Sequence, residues 1–381
     1  MPFAHITGWG MHVPEPVLTN DDIAKLVETN DEWIRGRTGI RERHIARENE
    51  FPSTLGVEAA LKALQVANLA PTELDLIICT SSSPEYIFPA TACLIQDQIG
   101  ATKAGAFDLL AACSGFIYAT NMAAQAIRSG SIKNALVIGS ETLSRFINWK
   151  DRNTCILFGD GAGAFVLQAS DKPGGVLSAV MHSDGSGADL LTLPGGGSRY
   201  PATETTIHEG KHYVSMDGKE VFRFATRVMG HATQESLQLA GLTTNDIQWI
   251  IPHQANYRII ETAAKYLKLP MEKFVVNVDR YGNTSTASIP IATVEAIEGG
   301  KVKSGDKIVF VGFGAGLTWG AMTVEWTGPI EPKKTIYPQQ YRLFARLRSW
   351  LRRALRFIEG IFFRRVCTQR LSGSERQKRT G

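Results

Sequence analysis

Cys113 stands in DLLAACSGFIYAT (108–120), between small residues, at the point where an apolar strand-like run turns into a helical pattern. A thiol at a helix N-terminus meets unpaired N–H groups and the positive end of the helix dipole, which favour the nucleophilic thiolate. The flanking Ala111, Ala112, Ser114 and Gly115 leave room for a substrate. His253 follows an apolar run in WIIPHQANYRII (249–260), where an imidazole can hydrogen-bond a developing oxyanion or move a proton near neutral pH. Asn283, in RYGNTSTASIP (280–290), precedes a helix that Ser285 or Thr286 could cap. Each residue alone also has a plain structural reading. A free cysteine is commonly a buried hydrophobe, and a turn asparagine usually serves only the turn.

The elements that must position these groups alternate β-like apolar runs (LDLIICT, ALVIGS, CILF, IQWIIP, KIVFVGFG) with helical patterns such as FIYATNMAAQAIRSG, which indicates an α/β sheet protein. The chain also repeats itself. LQVANLAPTELDLII (64–78) aligns without a gap on LQLAGLTTNDIQWII (237–251), an offset of 173, and AIRSGSIK (126–133) falls on AIEGGKVK (296–303), an offset of 170. At the first offset Thr80 corresponds to His253, and at the second Cys113 corresponds to Asn283. Ligands of α/β sheets bind outside the carboxyl ends of strands, so a pseudo-twofold arrangement would bring Cys113, His253 and Asn283 to one central site.

Other patterns carry less. HEGKH (208–212) fits HExxH, but a glycine interrupts the single helical face that zinc binding by this motif requires, so no metal is expected. GDGAGA and GFGAGL lack the spacing of a dinucleotide fingerprint and suit close backbone approach or an oxyanion hole. Five cysteines form no CxxC pair, and Cys79 and Cys155 (in strands) and Cys93 (in a helix) are expected in the core. The N-terminus lacks signal-peptide features and no apolar run reaches about 18 residues, which points to the cytoplasm. Charge is divided unevenly. Residues 1–330 hold 27 Lys and Arg against 34 acids, net −7, whereas the remainder holds 14 against 3, net +11.

From about Ile6 to Trp326 the chain resembles the β-ketoacyl-acyl-carrier-protein synthase III family, the condensing enzymes that start fatty-acid synthesis, within the thiolase-like superfamily. The resemblance rests on DEWIRGRTGIRERHI (31–45), IFPATACLIQ (87–96), AACSGF (111–116), FGDGAGA (158–164), GKEVFRFA (218–225), PHQANYRII (252–260), DRYGNTSTASIP (279–290) and GFGAGLTWG (312–320). It implies a duplicated five-layered α-β-α-β-α fold, with an N-terminal half (1–172) carrying the cysteine and a C-terminal half (173–327) carrying His and Asn. It also implies a two-stage reaction without metal or cofactor. Cys113 takes the acyl group from an acyl-CoA such as acetyl-CoA, and His253 and Asn283 then stabilise the enolate formed as malonyl-acyl-carrier protein loses carbon dioxide. The N–H groups of Cys113 and Ala315 would form the oxyanion hole. By the same resemblance Trp33, Arg37, Arg152 and Gly218 would contact the CoA substrate, and Phe88 would border the acyl pocket. Gln254, Ala255, Asn256, Tyr257 and Arg258 would meet the carrier protein, and the enzyme would be a homodimer. A starter-unit condensing enzyme or acyltransferase of polyketide or specialised metabolism is the alternative on the same scaffold. A papain-like hydrolase shares the order Cys, His, Asn but leaves the repeat unexplained.

Beyond Trp326 the resemblance stops. Residues 328–340 read as a proline-containing linker, 341–366 as a cationic amphipathic helix and 367–381 as a disordered tail. Leu343, Leu347, Trp350, Leu351, Ala354, Ile358 and Phe362 recur at three- and four-residue steps, with arginines largely elsewhere. Such a helix suits an anionic membrane surface, with acidic carrier protein or its own body as the other surfaces it could meet. The acidic body argues against nucleic acid.

Overall fold

The computed structural model describes residues 1–329 and 335–377, with side chains of the last helix described through Glu359. In chain order the first half comprises β1 (Phe3–His12), α1 (Asp31–Thr38), α2 (Pro52–Ala67), β2 (Leu76–Thr80), α3 (Thr91–Ile99), β3 (Gly105–Leu109), α4 (Gly115–Arg128), β4 (Asn134–Glu141) and β5 (Gly161–Ser170). The second comprises β6 (Gly175–Ser183), α5 (Gly218–Leu239), β7 (Trp249–Pro252), α6 (Tyr257–Leu267), α7 (Ser288–Glu298), β8 (Lys307–Gly314) and β9 (Thr318–Glu325), followed by α8 (Pro338–Gln377).

Strand β4 shows why the apolar runs are continuous. Ala135 and Val137 join the core around α4, while Leu136 and Ile138 join the core beneath α2 and α3, so both faces are buried and both must be apolar. Each such Leu or Ile contributes about 1.5–3 kcal/mol through burial. The first sheet has the order β1-β5-β4-β2-β3, with β4, β2 and β3 parallel. The second, β6-β9-β8-β7, repeats it, and the counterpart of β3 shrinks to one parallel bridge between Ile250 and Phe274. Helices α4 and α7 lie between the sheets, where Phe165 packs on Phe116 (4.9 Å) and Phe310 (5.8 Å). Helices α5 and α6 cover the second sheet's outer face. These are the five layers the family resemblance implies.

The repeat keeps one register. β2 and β7, α4 and α7, and β4 and β8 all begin 173 residues apart. Only the ends of α4 (Arg128) and α7 (Glu298) are 170 apart, so the 170 match reflects a shorter helix followed by a longer turn. Two unusual backbones confirm the 173 register: Ala112 (φ 45°) and Ser285 (φ 49°) are both left-handed. The counterpart of Cys113 is therefore Thr286 rather than Asn283.

Three local expectations also change. CILF is no strand, because Cys155 ends the short helix Arg152–Cys155, and Cys93 is exposed on α3 rather than in the core. Helix α8 begins at Pro338 and continues past residue 366 to Gln377; part of the expected linker (330–334) and of the expected tail (378–381) lies outside the described residues. In HEGKH the helix Glu204–His208 stops before left-handed Gly210, and His212 instead meets Thr206 Oγ1 at 3.1 Å.

Candidate active site

Cys113 sits on the single 3-10 turn Ala112–Ser114 that feeds α4. The strained φ of Ala112 turns the chain sharply, a conformation that persists only where its surroundings enforce it. Gly115 permits it, since a Cβ there would fall 2.1 Å from Thr80 Oγ1 at the end of β2. Gly314 at the end of β8 comes equally close from the other half: its Cβ would fall 2.6 Å from the Cys113 nitrogen. Hydroxyls join the two segments. Ser114 Oγ lies 2.8 Å from both Ala111 O and Thr318 Oγ1, and Thr318 Oγ1 lies 3.0 Å from Ala315 O. Ala315 and Cys113 thus line one chamber, walled by Leu143, Phe146, Phe158 and Leu191.

The electrostatics differ from the sequence expectation. Burial pushes the Cys113 thiol up to about 12 and outweighs the hydrogen bond from Ser285 Oγ, 3.2 Å from Sγ, which pulls it down. The resting group is a thiol, and the helix end alone does not ionise it. Glu141, at the end of β4, adds to the cost of a thiolate. Fully buried, its carboxyl is raised to about 7 although it accepts from Ser82 N (3.0 Å) and Ser83 Oγ (2.5 Å).

His253 and Asn283 share a second chamber with Cys113. His253 Nδ1 lies 2.7 Å from Ser288 Oγ, which also accepts from Gln254 N at 3.3 Å. With one lone pair of Ser288 Oγ taken by Gln254 N, its own proton is available to Nδ1, and in that arrangement the ring proton sits on Nε2. Nε2 is buried and has no hydrogen-bond partner among the described residues, and burial lowers the ring to about 3, so it stays neutral. Asn283 Oδ1 accepts from Ser285 N at 2.8 Å, leaving the amide nitrogen as the donor for the chamber. Two neutral N–H donors thus face the space beside the thiol. The repeat supports this geometry: Thr80 and Thr286, counterparts of His253 and Cys113, meet each other at 3.2 Å.

The mouth gathers positive charge. Arg37 and Arg152 place their guanidinium groups 5.5 and 4.8 Å from the Trp33 ring centroid. Trp33, Arg37 and Arg258 line an open depression of about 480 Å³ together with Asn30, Glu32 and Gly36. Asn256 caps α6 and donates from Nδ2 to Arg37 O at 3.1 Å, and it also lines the inner chamber with Ala255 and Gly218.

Some expected contacts are not brought together. Gln254 is buried, donating to Pro252 O and Val275 O and accepting from Asn277 N, so it holds the loop rather than offering a surface to a carrier protein. Tyr257 lies where a Gly39 Cβ would fall 2.5 Å from its own Cβ, yet it keeps 38% of its surface exposed. Phe88 is 84% exposed and lines neither chamber of its own chain. Ser285 and Thr286 do not cap α7: one turns to the thiol and the other to Thr80. Sequence reasoning missed Ser288 and Glu141, although three hydroxyls crowded into STAS after Asn283 were a signal for the first.

The chain is similar to proteins of one family along most of its length. Residues 107–185 match the family model "3-Oxoacyl-[acyl-carrier-protein (ACP)] synthase III", and residues 237–326 match the model of its C-terminal part. The β-ketoacyl-[acyl-carrier-protein] synthase III of Roseiflexus sp. (strain RS-1) is 51% identical over 325 residues, 85% of this chain and 99% of the relative. The crystal structure of 3-oxoacyl-[acyl-carrier-protein] synthase III from Aquifex aeolicus VF5 superposes with a TM-score of 0.79 at 47% identity, covering 85% of this chain and all of that one. The priming β-ketosynthase of the R1128 polyketide pathway, at a TM-score of 0.80, is 34% identical and covers 86% of this chain and 97% of its own. Because half of its residues are identical across nearly the whole length of such a relative and both family models match in order, the chain belongs to the 3-oxoacyl-[acyl-carrier-protein] synthase III family.

Proposed function

We propose that the protein condenses a short acyl-CoA primer with malonyl-acyl-carrier protein, releasing carbon dioxide, as the initiating step of fatty-acid synthesis. The observation that carries this reading is the pair of neutral donors, His253 Nε2 and the Asn283 amide, beside a buried thiol. The Cys113 sulfur attacks the acyl-CoA carbonyl, CoA leaves as its thiol with the proton that Cys113 gave up, and a thioester remains on the enzyme. The malonyl thioester carbonyl then accepts from His253 and Asn283 while the malonyl carboxylate departs as carbon dioxide and leaves its bonding pair in the enolate. The enolate carbon attacks the acyl-cysteine carbonyl, and collapse of the resulting oxyanion breaks the bond to the Cys113 sulfur, which takes a proton from solvent as the 3-oxoacyl product leaves on the carrier protein. The N–H groups of Cys113 and Ala315 hold that second oxyanion. Removing one such donor typically costs about 3–4 kcal/mol of transition-state stabilisation. No charged group in this scheme needs to change state on His253, which suits an imidazole that burial keeps neutral.

The chamber beside Leu143 and Phe146 has about 80 Å³, on the order of half a dozen water sites, which suits a short primer such as acetyl. Arg37, Arg152 and Arg258 would meet the phosphates that CoA and the carrier protein's prosthetic arm both present, with Trp33 beside the adenine. A homodimer formed through the first sheet's edge fits this scheme. Among the described residues strand β3 has no outer neighbour, and Phe88, Phe107 and Leu110 are exposed around it. The enzyme would act in the cytoplasm, with α8 meeting an anionic membrane surface. Among the described residues no helix is long and apolar enough to cross a membrane.

The test is carbon dioxide release from malonyl-carrier protein. His253→Ala and Asn283→Ala should each accept the acyl group from acyl-CoA and lose decarboxylation by at least about 100-fold, the cost of one preorganised donor. Decarboxylation at the wild-type rate in both variants would remove the donor pair from the mechanism.

A further inference from the structure

The C-terminal family model ends at residue 326, so α8 is an addition to the common body. Its mounting turns the apolar face of the amphipathic pattern away from the body. The face against α2 and α3 is small and polar: Ala345 and Ser349 are buried, and Gly100 admits the helix because a Cβ there would lie 3.2 Å from Tyr341 O. Arg342 pairs with Glu58 at 2.5 Å, Arg348 with Asp97 at 3.0 Å, and Ser349 Oγ donates to Asp97 at 2.7 Å.

At 3.6 residues per turn, Leu343, Leu347, Trp350, Leu351, Phe357 and Ile358 fall on an arc of roughly 120° that lies opposite this seam. All six are exposed, Trp350 by 62% and Phe357 by 72%. Arg346 and Arg353 border the arc, and neither forms an ion pair among the described residues. A second copy of the same helix would set these arginines against one another. A soluble acidic partner would satisfy the arginines and leave the apolar arc in water. A bilayer with anionic headgroups satisfies both at once, apolar side chains entering the acyl boundary and arginines meeting phosphates.

We infer that α8 attaches the enzyme to an anionic bilayer surface while it stays docked on α2 and α3, so that this outer layer of the body faces the membrane. The inference rests on the reading of α8 as membrane-facing and adds the orientation. A helix that hid its apolar face against the body would have to leave before binding; this one needs no such step. Arg258, at the mouth, stands on α6 in the opposite outer layer, so attachment leaves the active-site entrance open to water.

The test uses the full chain with Cys93→Ser and Cys367→Ser, carrying Asp97→Cys and Ser349→Cys to lock the seam by oxidation, verified by intact mass. Vesicles of phosphatidylglycerol and phosphatidylcholine, or phosphatidylcholine alone, are sedimented with the reduced and the locked forms. Both forms should bind the anionic vesicles at least tenfold better than the neutral ones. Leu347→Arg with Trp350→Arg should lose that binding at least tenfold while accepting acyl groups normally. Binding by the reduced form but not by the locked form would overturn the docked orientation and leave the membrane reading standing. Absence of binding by both, or undiminished binding by the arginine variant, would overturn the membrane reading itself, and concentration-dependent self-association through the arc would assign it to a second copy.

Discussion

Around Cys113, burial sets the direction of every ionisation and single hydrogen bonds adjust it. Ser285 favours the thiolate and Glu141 opposes it, so their replacements should act in opposite senses. In iodoacetamide labelling of Cys113 across pH, Ser285→Ala should move the midpoint upward and Glu141→Gln downward. A shift of the same sign in both would contradict this account of the site. His253 gives a second signature. Its folded-state value, about 3, lies below the ordinary 6.5, so unfolding takes up a proton between about pH 3 and pH 6.5. Its contribution to stability is complete above that value and is lost as pH falls toward 3. Between about pH 7 and pH 5 the loss is about 2 kcal/mol. Glu141, raised from 4.5 to about 7, works the other way, because its folded state holds the proton and its contribution fades as pH rises through that window. Denaturant unfolding of His253→Gln should therefore show less acid destabilisation than wild type over this range, and equal acid destabilisation would show that the ring titrates normally.

At the scale of elements, two strand ends and two strained turns do the positioning. Gly314→Ala should drive the end of β8 away from the Cys113 nitrogen and lower the rate of acyl transfer about 100-fold or more, with far-UV circular dichroism unchanged. A rate within a few-fold of wild type would mean the close approach is not needed. The ungapped 173 match made much of this legible, because strands, their carboxyl ends and the following turns all keep that register. What misled was the shortened end of α7, which created a second match at 170 and assigned Cys113 the wrong counterpart. The partners of the thiol were only half legible. His253 follows a matched strand, but the aim of Ser285 depends on a left-handed backbone that no local pattern announces. The seam of α8 was hidden for a related reason: its strongest periodicity marks the face turned outward, and the docked face is made of Ala345, Ser349 and paired arginines.

At the scale of the whole molecule, an acidic body carries a basic helix on one outer layer and a cluster of arginines at a mouth reached from the other. The two functions should separate. Removing residues 327–381 should leave acyl transfer within about twofold of the full chain, since none of the described residues among them lines either chamber, and should abolish sedimentation with anionic vesicles. A large loss of acyl transfer would show that α8 supports the body as well as extending it. The central claim remains that two halves of one chain converge to make Cys113 an acyl carrier. Intact-mass measurement after incubation with acetyl-CoA tests it most directly. Wild type should gain the mass of one acetyl group and Cys113→Ala should gain none, whereas the same adduct on the alanine variant would contradict the assignment.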